Sequence, residues 1–173
     1  DPVLASRVSS PEDFPEKGTR ELTADDYVRG IRRLADPMIP CPIRETLVKY
    51  LLGMEEYTAA LDKDLTAARA RRKAAAGASY NQDLDERANP LRLDPDAHPF
   101  PGVERVDSLT FRITLKKKYP QILYWMAMPF FSPVPKEAED FYAQPALIDR
   151  NVTLHSFPVG TGPYTLQCFD RNR

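Results

Sequence analysis

The sequence is short of the residue types on which most catalytic and metal chemistry depends. It has two cysteines, Cys41 and Cys168, far apart and in unlike contexts. A zinc site needs more ligands, more closely spaced. The pair is compatible with one disulfide in an oxidising compartment or with two unpaired thiols acting as small hydrophobes. There are two histidines, His98 and His155, neither at helical spacing from another ligand-type residue, and the acidic residues are dispersed without a calcium-loop pattern. Excess charge is also lacking: 24 basic and 25 acidic residues leave a net charge of −1, so no global field draws in nucleic acid or an anionic membrane. No apolar run reaches bilayer-spanning length, and the start at Asp1-Pro2-Val3-Leu4 lacks the basic and apolar regions of a secretory signal. A chain without an initial Met that stops at Arg171-Asn172-Arg173 suits an excised piece whose signal segment was left off.

What is present is an ordinary folding composition, 42% apolar and 28% charged, with an unusual 17 prolines among 173 residues. That length supports one domain, or one domain with an appendage. The prolines cluster at 90–101 and 129–145, where they forbid long helices and favour ordered extended loops. Residues 1–21 are polar and aperiodic, an irregular lead-in. A helix start follows at Leu22-Thr23-Ala24-Asp25-Asp26-Tyr27: Thr23 is placed to cap, Asp25 and Asp26 suit the positive dipole end, and Leu22 can staple onto Tyr27. Tyr27, Ile31 and Leu34 line one face until Asp36-Pro37 ends the run.

A short amphipathic segment is expected around Ile43–Leu52. A longer helix follows from Met54 to a stop at Gly77, with Met54, Tyr57, Leu61, Leu65 and Ala68 as its apolar stripe. Residues 78–102, rich in turn-forming pairs, read as a long surface loop. Leu109, Phe111, Ile113 and Leu115 alternate with polar residues, predicting a strand with one buried face, paired with a shorter Val103–Val106 strand through Asp107-Ser108. Tyr119 to Met128 reads as a buried helix opened by Pro120. Pro135 to Tyr142 reads as another short helix, and Tyr164 to Phe169 as a last strand.

The constellations that suggest chemistry are thin. Gly160-Thr161-Gly162 looks like the start of a phosphate loop, but no lysine or third glycine follows and Pro163 removes a donor. The reading left for Gly160, Thr161, Gly162, Pro163 and Tyr164 is a structural turn, the glycines permitting unusual dihedrals. Arg69–Lys73 and Lys116–Lys118 are charge runs of the kind that usually face solvent. A serine triad can be written on paper from Ser156, His155 and Asp149, but no strained nucleophile turn accompanies it. Met128, Pro129, Phe130 and Phe131 sit on a proline-stiffened connector, where core packing competes with a role as the wall of a ligand cleft.

Four colinear segments resemble the family 5 extracellular solute-binding proteins, which include oligopeptide-, dipeptide- and nickel-binding components of ABC importers. They are Leu22–Val28 with Arg33–Pro37; Val106–Leu115; Tyr119-Pro120 through Leu123, then Met128-Pro129 and Ser132–Glu137; and Pro158–Tyr164. The resemblance implies an α+β chain forming part of a periplasmic-binding-protein type II fold, mainly its smaller accessory domain, with helices packed on a short antiparallel sheet. Residues 22–157 would be that domain, with an insertion-like region at 38–102, and 158–173 the return strand into the first lobe. The later lobe, with most solute contacts, would lie outside this chain. The implied partners are a peptide or similar small solute and the ABC permease subunits in the membrane. The implied protein is a monomer, periplasmic or surface-anchored, using neither cofactor nor covalent chemistry. A hydrolase acting through His155 and Ser156 and a solute sensor on the same fold are the alternatives.

Overall fold

Thr23 stands in extended conformation at the head of helix α1 (Ala24–Arg33), where its backbone N–H donates to the Asp26 carboxylate at 2.9 Å and its hydroxyl to the same oxygen at 3.3 Å. Asp26 therefore closes the first turn as a capping partner, and these bonds explain how a carboxylate only 3% exposed is tolerated there. The Ala24 N–H donates to the Ser108 carbonyl, so the hairpin turn further along the chain satisfies another of the free helix-start donors.

The computed structural model describes residues 18–164 together with Arg7, Asp13 and Leu166. They fall into two compact units. One comprises Thr23–Gln82 and Leu91–Val134; the other comprises Asp83–Pro90 with the described residues of 1–22 and 135–173.

In the larger unit α1 is followed by α2 (Arg44–Tyr50) and α3 (Met54–Ala76), as the periodicity predicts. Ile43, Leu47, Leu51, Met54, Tyr57 and Leu61 join Val28, Ile31, Leu34 and Ala35 in one core. Each fully buried Leu or Ile contributes about 1.5–3 kcal/mol relative to exposure, so this face, rather than helix propensity, holds the unit together. The link from α1 to α2 is tied by Arg44, whose guanidinium donates to the carbonyls of Leu34, Asp36 and Ile39 and so satisfies acceptors just past the end of α1. Gly53, at φ 72°, turns the chain between α2 and α3, and Gly77, at φ 65°, ends α3.

The sheet has two antiparallel strands, β1 (Val103–Arg105) and β2 (Phe111–Ile113), in the register Val103↔Ile113, Glu104↔Arg112, Arg105↔Phe111. The opposed Glu104 and Arg112 pair at 2.7 Å. At the turn the Asp107 carboxylate accepts the Leu109 N–H at 2.8 Å, and this bond, with the Thr110 hydroxyl, holds its pKa below the ordinary carboxylate value. The expected inward row is shorter than the alternation suggests. Leu109 is 68% exposed because it lies in this turn, before the pairing begins. Beyond β2, the Leu52 N–H donates to Thr114 O and the Lys116 N–H to Tyr50 O, so the end of α2 is laced to the chain leaving the hairpin.

Two further expectations need correction. The stretch 78–102 is not all loop: a 3-10 turn, Gly77–Ser79, leads to helix α4 (Gln82–Ala88), which starts with acidic residues in its first turn and carries Arg87 in its last. The apolar run after Tyr119 is not a buried helix. It folds into a five-residue helix, α5 (Ile122–Met126), that presents only Ile122 and Trp125 to the core and leaves Leu123 and Tyr124 exposed. Proline at both ends keeps it too short to offer more than one inward face.

The smaller unit contains α6 (Lys136–Tyr142), which Pro135 caps as expected, and α7 (Pro145–Ile148). Ala138, Tyr142, Leu147 and Val152 form its core, and the Tyr142 hydroxyl donates to the Phe157 carbonyl at 3.0 Å. Helices with a short antiparallel sheet make this an α+β chain. The expected strand from Tyr164 to Phe169 lies mostly outside the described residues.

Candidate functional site

Glycine at position 30 lets a passing segment approach the middle of α1. A Cβ there would stand 2.8 Å from the Ser132 carbonyl oxygen and 3.6 Å from the Pro133 Cα. The approach is fixed by the Val134 N–H, which donates to the Asp26 carbonyl at 3.1 Å. Where the segment 129–134 draws alongside α1, and the proline-broken link 39–42 passes the end of that helix, a cavity of about 190 Å³ remains.

Its walls are mainly apolar. Leu34 comes from the end of α1, Pro40 and Pro42 from the link, and Pro129, Phe130 and Val134 from the connector after α5. Arg33 is the one charged lining residue, and Ser132 and the free cysteine Cys41 also line it. A mainly apolar recess of this kind suits an apolar group. The volume lies below the roughly 300–1,000 Å³ of a complete small-molecule site. It has room for a side chain, not for a whole peptide.

Of the four connector residues read from the sequence, Pro129 and Phe130 line this cavity. Phe131 is 4% exposed and belongs to the core, and Met128 is half-exposed to solvent. Phe130 also packs on Trp125, with ring centroids 6.0 Å apart. Sequence reasoning missed Gly30, Arg33 and Cys41. They lie about 90 positions from the connector, and nothing in the local pattern announces that α1 and the connector meet.

The remaining candidates are placed elsewhere. Pro158–Tyr164 is irregular and exposed; neither Gly160 nor Gly162 has the positive φ that would require glycine, and a Cβ at either would meet nothing within 4 Å. The Ser156 hydroxyl shares a hydrogen bond with Thr153 Oγ1 at 3.1 Å, and its N–H also donates to Thr153, so Ser156 closes a local turn. His98 is tied down within the proline-rich stretch: its Nε2 meets the Asp64 carboxylate at 2.6 Å and pins that stretch to α3. Cys168 lies outside the described residues. Among the described residues no group of three or more His, Cys, Asp or Glu could hold a metal ion, and no helix is long and apolar enough to cross a membrane.

The model of the family described as "Bacterial extracellular solute-binding proteins, family 5 Middle" matches residues 18–173. This chain belongs to the family 5 extracellular solute-binding proteins. The match covers the larger unit and the smaller unit from residue 18 onwards, including α1, the hairpin, the connector and the Pro158–Tyr164 segment on which the resemblance rests. Family 5 proteins have an extracellular solute-binding role, typically serve ABC importers and are generally not enzymes. Comparison with curated proteins and with solved structures gives no match.

Proposed function

We propose that this family 5 chain is part of the solute-capturing component of an ABC importer that takes up peptides or closely related solutes outside the inner membrane and delivers them to the permease. The observation that carries the reading is the family match over residues 18–173. Residues 22–157 serve as the smaller accessory domain and 158–173 lead back towards the first lobe. The protein acts as a monomer and by binding alone. Lobe closure is driven by the solute's higher affinity for the closed state.

Of the connector residues Met128, Pro129, Phe130 and Phe131, it is Pro129 and Phe130 that contribute a stretch of cleft wall. In support, the cavity beside it is mainly apolar and is too small to enclose a peptide unaided. Its occupant is one apolar side chain of a larger solute. The turn at Ser156, bonded to Thr153, gives no support to the hydrolase alternative.

The test is a peptide titration of the two-lobed protein and of the 173-residue chain, followed by thermal shift. The two-lobed protein is expected to gain stability with peptide and the 173-residue chain to gain little. Tight, specific binding by the 173 residues alone would overturn the division of labour. Labelling of Ser156 by an activity-based probe, or turnover lost on His155→Ala, would overturn the reading as a binding protein.

A further inference from the structure

We propose that the outer face of α5, together with Lys117 and Lys118, is a docking surface for an anionic lipid bilayer. The inference rests on the reading that this protein works beside the inner membrane. Its starting point is a local charge imbalance hidden by the net charge of −1: from Ser108 to Val134 the chain has Arg112, Lys116, Lys117 and Lys118 and no acidic residue. With a screening length of about 8–10 Å, it is this local field, not the total charge, that a nearby membrane meets.

Two of the four cations are used within the fold. Arg112 pairs with Glu104 at 2.7 Å and Lys116 with Glu55 at 3.6 Å. Lys117 and Lys118 have no carboxylate within ion-pair distance among the described residues; Lys117 instead lies 5.1 Å from the centre of the Tyr50 ring. That ring stacks on Tyr119 at 3.7 Å, and the Tyr119 hydroxyl accepts the Trp125 indole N–H at 2.7 Å. Lys117 is thereby joined through an aromatic base to α5, and Lys118 follows it in the chain.

The helix turns Ile122 and Trp125 inward, while Leu123 is 70% and Tyr124 74% exposed, followed by Met128 at 47%. Exposed large side chains on a short helix, amphipathic rings packed against it and two lysines just before it in the chain are the ingredients of an interfacial site: the exposed side chains would enter the acyl boundary, and the rings and cations would remain at headgroup level. A helix of only five residues, with its exposed side chains adjacent, presents a tip for shallow insertion and not the i, i+4, i+7 stripe that fits a protein groove.

The experiment is flotation of the 173-residue chain with vesicles of mixed phosphatidylglycerol and phosphatidylcholine, and with phosphatidylcholine alone. Association is expected with the anionic vesicles only and should weaken as salt rises. At roughly fivefold per basic residue near an anionic surface, Lys117→Ala with Lys118→Ala should lower partitioning by about 25-fold. Leu123→Ser with Tyr124→Ser should abolish association; these side chains are exposed, so the circular dichroism spectrum and thermal transition should not change. Equal association with neutral vesicles, no association at all, or unchanged partitioning in the lysine variant would overturn the inference. Solute binding by the two-lobed protein without vesicle association overturns this inference and leaves the proposed function standing. Vesicle association without solute binding does the reverse.

Discussion

Replacing Gly30 by alanine sets two effects of known sign against each other. Helix propensity alone predicts a gain, because glycine inside a helix is about 1 kcal/mol less favourable than alanine. The structure predicts the opposite. The new methyl would stand 2.8 Å from the Ser132 carbonyl oxygen, and this neighbour is backbone that cannot rotate away. Relieving the overlap means moving the 132–134 segment off α1, which strains the Val134 N–H bond to Asp26 and disturbs the packing of Phe131 beneath it. Overpacking of this kind costs about 1–3 kcal/mol, leaving Gly30→Ala destabilised by up to about 2 kcal/mol after the propensity gain. Urea denaturation, read as a shift in midpoint at unchanged slope, measures the balance. A stabilisation near 1 kcal/mol would refute the argument and show that the helix and the connector are not in contact. Gly77→Ala is a useful contrast: nothing lies within 4 Å of the new methyl, so a loss there of about 1–3 kcal/mol would come from the backbone conformation at positive φ alone.

Three further outcomes are expected. Arg44→Ala should destabilise the larger unit by about 1.5–3 kcal/mol, since three carbonyls lose a charged donor, and Arg44→Lys should restore only part because a lysine cannot fork; denaturant midpoints decide. Burial raises the Tyr57 pKa well above the ordinary tyrosine value, so the native state resists its ionisation. The resulting stability is complete below pH 10 and is lost as pH rises above it. Tyr57→Phe should therefore flatten the alkaline fall in stability while costing about 1 kcal/mol at neutral pH for the lost bond to the Pro95 carbonyl, and an alkaline fall equally steep in the variant would refute this. Leu61→Ala should cost about 2–5 kcal/mol in thermal or urea unfolding, as expected for a leucine 1% exposed between helices.

The parts of the fold that were legible in the sequence are those governed by local periodicity. The stripe Met54, Tyr57, Leu61 and Leu65 is buried along α3 as its spacing predicts, and Gly77 ends that helix. The alternation in 109–115 found the hairpin, because a period of two puts apolar side chains on one face of a strand and scatters them around a helix. Failures came where tertiary context outweighs composition. The run Tyr119–Met128 looks buried by content, but two inward side chains are all that a five-residue helix can bury. Helix α4 escaped notice among turn-forming residues because Gln82–Ala88 buries none of its residues, which leaves no apolar period to detect. The cavity was half legible. Pro129 and Phe130 stand out as a stiff apolar connector, whereas Arg33 and Cys41 become its neighbours only through the long-range approach at Gly30.

The crossing at Gly53 has a consequence for how this chain tolerates change in length. A Cβ on Gly53 would touch the Pro101 ring at 2.8 Å, so the chain leaves for α3 and returns from its long excursion at nearly the same point. Between Thr66 and Gln82, the part of the excursion that belongs to the larger unit, no residue is buried. Because the base is closed by its own contacts, halving or doubling the outer part alters the closure entropy by only about 0.6 kcal/mol. The outer stretch is thus a natural graft site: a tag, a reporter domain or a trimmed turn can be spliced there while the base that carries α1, the hairpin and the connector keeps its geometry.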